Sequence, residues 1–71
     1  MAEEIELETG GTVWKLMVKD GDDVSEGDTL FIMEVMKMEV PYEAPINGKV
    51  VDLQIAEGDV LKEGDIAMSI E

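Results

Sequence analysis

Sliding the chain of 71 residues along itself by 37 positions aligns residues 11–34 with residues 48–71 without a gap. Identities fall at Gly11/Gly48, Val13/Val50, Leu16/Leu53, Gly21/Gly58, Asp22/Asp59, Glu26/Glu63, Gly27/Gly64, Asp28/Asp65 and Glu34/Glu71, nine of 24 positions. Val18/Ile55, Asp20/Glu57 and Val24/Leu61 are conservative pairs between them. Chance gives roughly one or two identities in such a window, so the chain reads as two copies of one unit. Each copy is too short to close a core alone, and two such units most simply interlock into a single domain spanning residues 1–71. A long solenoid is ruled out by length.

Both copies share an internal grammar. In Trp14-Lys15-Leu16-Met17-Val18 the apolar residues at 14, 16 and 18 recur at every second position, matched by Val51, Leu53 and Ile55. A period of two predicts strands with one face buried. Gly21-Asp22, Gly27-Asp28, Gly58-Asp59 and Gly64-Asp65 follow as corners, because Gly reaches positive φ and Asp bonds back to nearby backbone. Phe31, Met33 and Val35 close the first unit, and Ile66, Met68 and Ile70 close the second on the same phase. No gap between corners leaves room for more than a turn of helix. An all-β sandwich or flattened barrel with pseudo-twofold symmetry follows, its core drawing on Phe31, Ile32, Leu53, Ile55 and Ile70. Pro41 cannot donate a ladder hydrogen bond, which places its strand at an edge or an irregularity. Asn47-Gly48, where the second copy begins, is expected to form a tight turn opposite the centre of the chain.

Composition then narrows the function. The chain holds 18 acidic residues, five lysines, no arginine and no histidine, a formal charge of −13. So acidic a surface repels phosphates and anionic lipid, which argues against nucleic acid and membrane as partners and disfavours self-association. Without Cys or His there is no thiolate nucleophile, no disulfide, no usual zinc ligand set and no Ser/His/Asp arrangement. The Asp20-Gly21-Asp22-Asp23 run fails as a calcium loop, since Ser25 stands where the required Gly belongs. No catalytic or metal-binding residues are therefore assigned. The acidic N-terminus and the absence of a long apolar run predict a cytoplasmic monomer.

One lysine stands apart. From Asp20 to Gly48 there are eight acids and a single base, Lys37, at the link between the two copies. In an interlocked fold that link begins at a surface corner, so Met36-Lys37-Met38 presents a primary amine with a thioether on each side. The plainer alternative is a solubilising turn lysine with both methionines packed back onto the strands.

Glu34-Val35-Met36-Lys37-Met38-Glu39 resembles the Met-Lys-Met signature of the biotin/lipoyl attachment (biotinyl) domain family. Gly11-Thr12-Val13, the paired Gly-Asp corners, Ala44-Pro45 and Gly48-Lys49-Val50 extend the resemblance over essentially the whole chain, closest to the short stand-alone members. The resemblance implies a barrel-sandwich hybrid, a flattened β-barrel of two four-stranded antiparallel sheets with Lys37 on an exposed β-turn. It implies a non-catalytic carrier, of the biotin carboxyl carrier type, whose Lys37 receives covalent biotin from a biotin protein ligase. CO2 would then pass between a biotin carboxylase and a carboxyltransferase. Met36, Met38 and Glu34 would assist recognition, with packing or simple exposure as their alternatives.

Val35 replaces the small residue usual before Met-Lys-Met, and Glu8-Thr9-Gly10-Gly11 replaces a Pro-containing turn. The gapless offset leaves no space for the protruding insertion of some bacterial acetyl-CoA carboxylase carriers, which argues against a dedicated role in fatty-acid synthesis. Two other readings stay open. One is a lipoyl acceptor, modified by a lipoate ligase and carrying acyl or aminomethyl groups. Lipoyl domains more often read Asp-Lys-Ala at the turn, so the methionines favour biotin. The other is an unmodified acidic β-module binding a protein partner through an apolar patch around Trp14 and Tyr42.

Overall fold

The computed structural model describes residues 2–71. Eight strands follow one another: β1 (Glu3–Glu6), β2 (Gly11–Leu16), β3 (Asp23–Val24), β4 (Thr29–Val35), β5 (Met38–Glu43), β6 (Gly48–Val51), β7 (Val60–Leu61) and β8 (Ile66–Ile70). They form two antiparallel four-stranded sheets, β1-β8-β6-β3 and β5-β4-β2-β7, with no helix among the described residues. Each sheet takes two strands from each half of the chain, so the repeats interlock as their shortness requires.

The structural repeat is longer than the one legible in sequence. Glu3, Glu4, Ile5 and Glu6 pair with Ile70, Ser69, Met68 and Ile66, and Val40, Pro41, Tyr42 and Glu43 pair in the same way with Met33, Ile32, Phe31 and Thr29. Every partner is displaced by 37 positions, including the register shift near the end. The symmetry thus extends to β1 and β5, whose sequences share almost nothing. Pro41 lies in β5, an edge strand, where its missing N–H breaks no ladder.

Four corners are built alike. In 19–22, 25–28, 56–59 and 62–65, the last residue's N–H donates to the first residue's carbonyl, at 3.0, 2.9, 3.1 and 3.1 Å. The closing aspartates Asp22, Asp28, Asp59 and Asp65 accept from the first residue's N–H at 2.9, 2.9, 3.0 and 2.9 Å. The third residue is always Gly, with φ of 93°, 91°, 91° and 90°, the left-handed value a type II turn demands. Asn47-Gly48 differs from its expected form. Residues 45–47 bend without closing a turn, because the nearby polar groups are committed elsewhere. Ala44 bonds in both directions to the Gly27-Asp28 corner, and the Asn47 side chain accepts from Glu26 N–H at 2.7 Å.

Phe31, Leu7, Leu30, Met33, Met68, Ile70, Val13 and Val50 form the fully buried centre. Phe31 stacks on Tyr42 with ring centres 4.7 Å apart. Of the expected core residues, Phe31, Ile55 and Ile70 are buried, while Ile32 and Leu53 are only half-buried. Ile32 alternates with Phe31 and Met33 and so looks to the other side of β4. Trp14 departs from the predicted alternation and is 47% exposed. A bulge between Val13 and Lys15 shifts the phase of β2, leaving Val13 and Leu16 turned to the core and Trp14 outside.

Candidate functional site

The link between the halves is a two-residue hairpin loop joining β4 to β5, with Val35 paired to Met38 and Glu34 paired to Glu39. Its central residues, Met36 and Lys37, have φ of 52° and 64°. Positive φ at both central positions is the type I′ arrangement, whose twist matches that of the strands it joins. Asn-Gly suits such a loop; Met-Lys does not, since a side chain in left-handed backbone costs on the order of 1 kcal/mol per residue. Strain of this kind persists where the surroundings impose it, and here the β4–β5 ladder does so.

Lys37 is exposed at the tip, with Met36 91% and Met38 67% exposed beside it. The methionines are thus not packed back onto the strands, and the amine stands between two apolar, flexible side chains that the fold does not use. No cluster of acidic side chains able to hold a metal ion occurs among the described residues. Glu34 is exposed on β4, two pairings from the tip counted along the ladder.

Three neighbours belong to the sequence motifs but had no expected place at the site. Glu39 sits directly across from Glu34, a like-charge pair beneath the turn. Centring a two-residue loop on 36–37 pairs 34 with 39, so the signal was present once that centre was fixed. Gly11 and Thr12 flank Glu34 on β2. A Cβ on Gly11 would lie 2.6 Å from the Glu34 carbonyl oxygen and 2.9 Å from a Val35 methyl, so the base of the hairpin rests on bare backbone. Gly48 meets Glu71 and Ile70 in the same way at 2.7 and 2.8 Å, but at the end remote from Lys37.

Trp14 and Tyr42 do not make one patch. Tyr42 turns inward onto Phe31, and its hydroxyl accepts from Glu8 N–H at 3.2 Å. Trp14 lies outside at the β2 bulge with β4 between them, its ring 5.8 Å from the Lys15 ammonium.

What the arrangement offers chemically is one unhindered primary amine on a stiff projection, suited to covalent modification by an enzyme that reads the hairpin. Comparisons with known proteins point the same way. The biotin/lipoyl family model, described as "Biotin-requiring enzyme", matches residues 1–70. The "Biotin/lipoyl attachment protein" of Bacillus subtilis is 36% identical over 66 residues, covering 93% of this chain and 90% of that one. The "Biotinylated protein TB7.3 homolog" of Mycobacterium leprae is 38% identical over 66 residues, covering 93% of each. Among solved structures, the urea carboxylase of Kluyveromyces lactis superposes with a TM-score of 0.90 at 35% identity, over 100% of this chain and 6% of that one.

Proposed function

The chain belongs to the biotin/lipoyl attachment family, and from that premise we propose that it is a carrier domain whose Lys37 is biotinylated. The observation that carries the reading is the type I′ hairpin, which holds an exposed lysine between two exposed methionines in backbone that neither residue favours.

The residues present fit the group. Lys37 Nζ, once it had given up a proton to the ligase, would attack the carboxyl carbon of biotin, and the C–N amide bond would form as the bond from that carbon to the ligase-supplied activating group breaks and that group leaves. Nothing on the hairpin obstructs entry into a ligase cleft, and Met36 and Met38 supply soft apolar contacts on either side. Amide formation removes one positive charge, taking the net charge from 5 − 18 = −13 to 4 − 18 = −14. When attached, biotin supplies a ureido nitrogen that accepts CO2. The chain supplies reach and orientation, not catalysis: the turn fixes the direction in which the Lys37 side chain leaves the body, and the two-sheet core keeps that direction constant. A biotin carboxylase and a carboxyltransferase are the proposed partners, with the biotin protein ligase acting before them. The likeness to a segment of a urea carboxylase supports such a setting.

Lipoate is the second reading, favoured by the double name of the Bacillus subtilis relative. Co-expression with a biotin ligase and, separately, a lipoate ligase decides between them by intact mass. Biotinylation predicts a mass increase with the first enzyme, and a lipoyl role predicts it with the second alone. Folded protein unchanged by both enzymes would overturn the carrier reading.

A further inference from the structure

The described residues hold five methionines, and the fold divides them sharply. Met33 and Met68 are fully buried at the centre of the core. Met17, just beyond β2, is 54% exposed, and Met36 and Met38 on either side of Lys37 are the most exposed of the five. Neither of these two packs against the core cluster, so the fold makes no use of their thioethers. Alternation along the hairpin sorts its faces: Glu34 and Glu39 pair across one, Val35 and Met38 across the other. Val35 is half-buried, which leaves Met38 as the exposed apolar group of that face and Met36 as the one at the tip. An enzyme that grips the hairpin therefore meets carboxylates on one face and thioethers on the other.

A thioether is uncharged, polarizable and adaptable, and it gives up little hydration on entering an apolar pocket. Oxidised to a sulfoxide it becomes polar and chiral, with an oxygen that must find a hydrogen-bond donor wherever it is buried. In the core, at Met33 or Met68, that change would break the packing. At the hairpin it touches nothing the fold relies on and alters only what a partner meets. Position thus separates two consequences of one chemistry: the tip can be oxidised without unfolding the domain, and the sulfurs whose oxidation would unfold it are shielded from solvent.

We propose that Met36 and Met38 form a reversible oxidation site that governs whether a ligase accepts Lys37, a regulation that rests on the reading of Lys37 as the biotin acceptor. The oxidant is a peroxide. A sulfur lone pair attacks one oxygen of hydrogen peroxide, the O–O bond breaks, and the departing hydroxide takes the proton of the transferred hydroxyl and leaves as water. Sulfur gives up two electrons and the peroxide takes them. In the return step a dithiol, used by a methionine sulfoxide reductase, supplies two electrons and two protons. The oxygen leaves as water, and the dithiol becomes a disulfide. The Lys37 amine keeps its own chemistry throughout. What is lost on oxidation is the apolar contact on either side of it, so the hairpin no longer seats in a cleft shaped for thioethers.

The test treats the full chain, with Lys37 unmodified, with dilute hydrogen peroxide, removes the peroxide with catalase, and only then adds biotin and a biotin protein ligase. Peptide mass mapping should find oxygen on Met36 and Met38 while Met33 and Met68 remain thioethers, with the thermal melt unchanged. The kcat/KM of the ligase for the treated chain should fall about five- to tenfold, the effect of weakening two apolar contacts. Methionine sulfoxide reductase with dithiothreitol should restore it. Met17→Leu should leave both the rate and its loss on oxidation as they are. In a Met36→Leu, Met38→Leu variant, whatever its own rate, treated and untreated protein should be modified equally fast. Untreated protein that the ligase does not modify would overturn the carrier reading and this proposal with it. Untreated protein that is modified, but no faster than protein oxidised at Met36 and Met38, would overturn the proposal alone. So would oxidation of Met33 or Met68 ahead of the hairpin, a lowered melt, or a loss that Met17→Leu removes.

Discussion

At the scale of single residues, the telling feature is a mismatch between residue type and backbone. Met36 and Lys37 occupy the left-handed region that Asn and Gly fill at ordinary hairpin tips. Met36→Asn should therefore raise stability by about 0.5–1 kcal/mol, since Asn enters this region far more readily. For a domain of this size that is a rise of roughly 2–8 °C in a thermal melt. An unchanged or lower melting temperature would mean that the loop is not strained by its side chains. Sequence revealed where the lysine stands but not this strain, because Met and Lys carry no turn signal of their own. The Gly-Asp corners were legible for the opposite reason: each residue's chemistry names its place in the turn.

Among elements, the decisive contact is the one between the start of β2 and the end of β4. Gly11 and Gly48 are matched by the repeat, and each faces a carbonyl oxygen and a side-chain methyl at under 3 Å from where a Cβ would sit. Gly11→Ala and Gly48→Ala should both destabilise, by about 1–3 kcal/mol, as backbone shifts to relieve the overlap. They should differ in function. Gly11→Ala displaces Glu34 and Val35 at the base of the Lys37 hairpin and should slow modification by a ligase. Gly48→Ala disturbs Glu71 and Ile70 at the other end and should leave the modification rate of the folded protein unchanged. Equal effects on that rate would detach the hairpin from its supporting strand. One element, β1, and the phase of another, β2, escaped sequence reading for physical reasons. In β1 only Ile5 of Glu3–Glu6 is buried, and an edge strand with one inward residue shows no alternation. In β2 the bulge moves Trp14 outward, and a residue count with a strict period of two cannot see an inserted step.

Across the whole molecule, the repeat organises both stability and presentation. Interlocking gives each sheet strands from both halves, so neither half can keep a core without the other. Charged residues line the edge strand β1, with Glu3, Glu4 and Glu6 exposed, which opposes edge-to-edge pairing between copies. The same acidity has a cost. With 18 carboxylates against five lysines on 71 residues, compaction works against self-repulsion. Added sodium chloride should raise the melting temperature steadily as screening sets in below a Debye length of about 10 Å at 0.1 M. A melting curve indifferent to salt would show the charges to be too well separated to matter. The fold class and the interlock were both legible in the repeat.

The central claim is that Lys37 alone, by its placement on the hairpin, is the acceptor of the carrier group. The measurement that tests it most directly is the extent of biotinylation, by intact mass, of a variant in which Lys15, Lys19, Lys49 and Lys62 are all replaced by arginine, beside a Lys37→Arg variant. The account predicts that the first is modified once and completely and the second not at all. Modification of the Lys37→Arg protein, or failure of the folded variant that keeps Lys37, would contradict it.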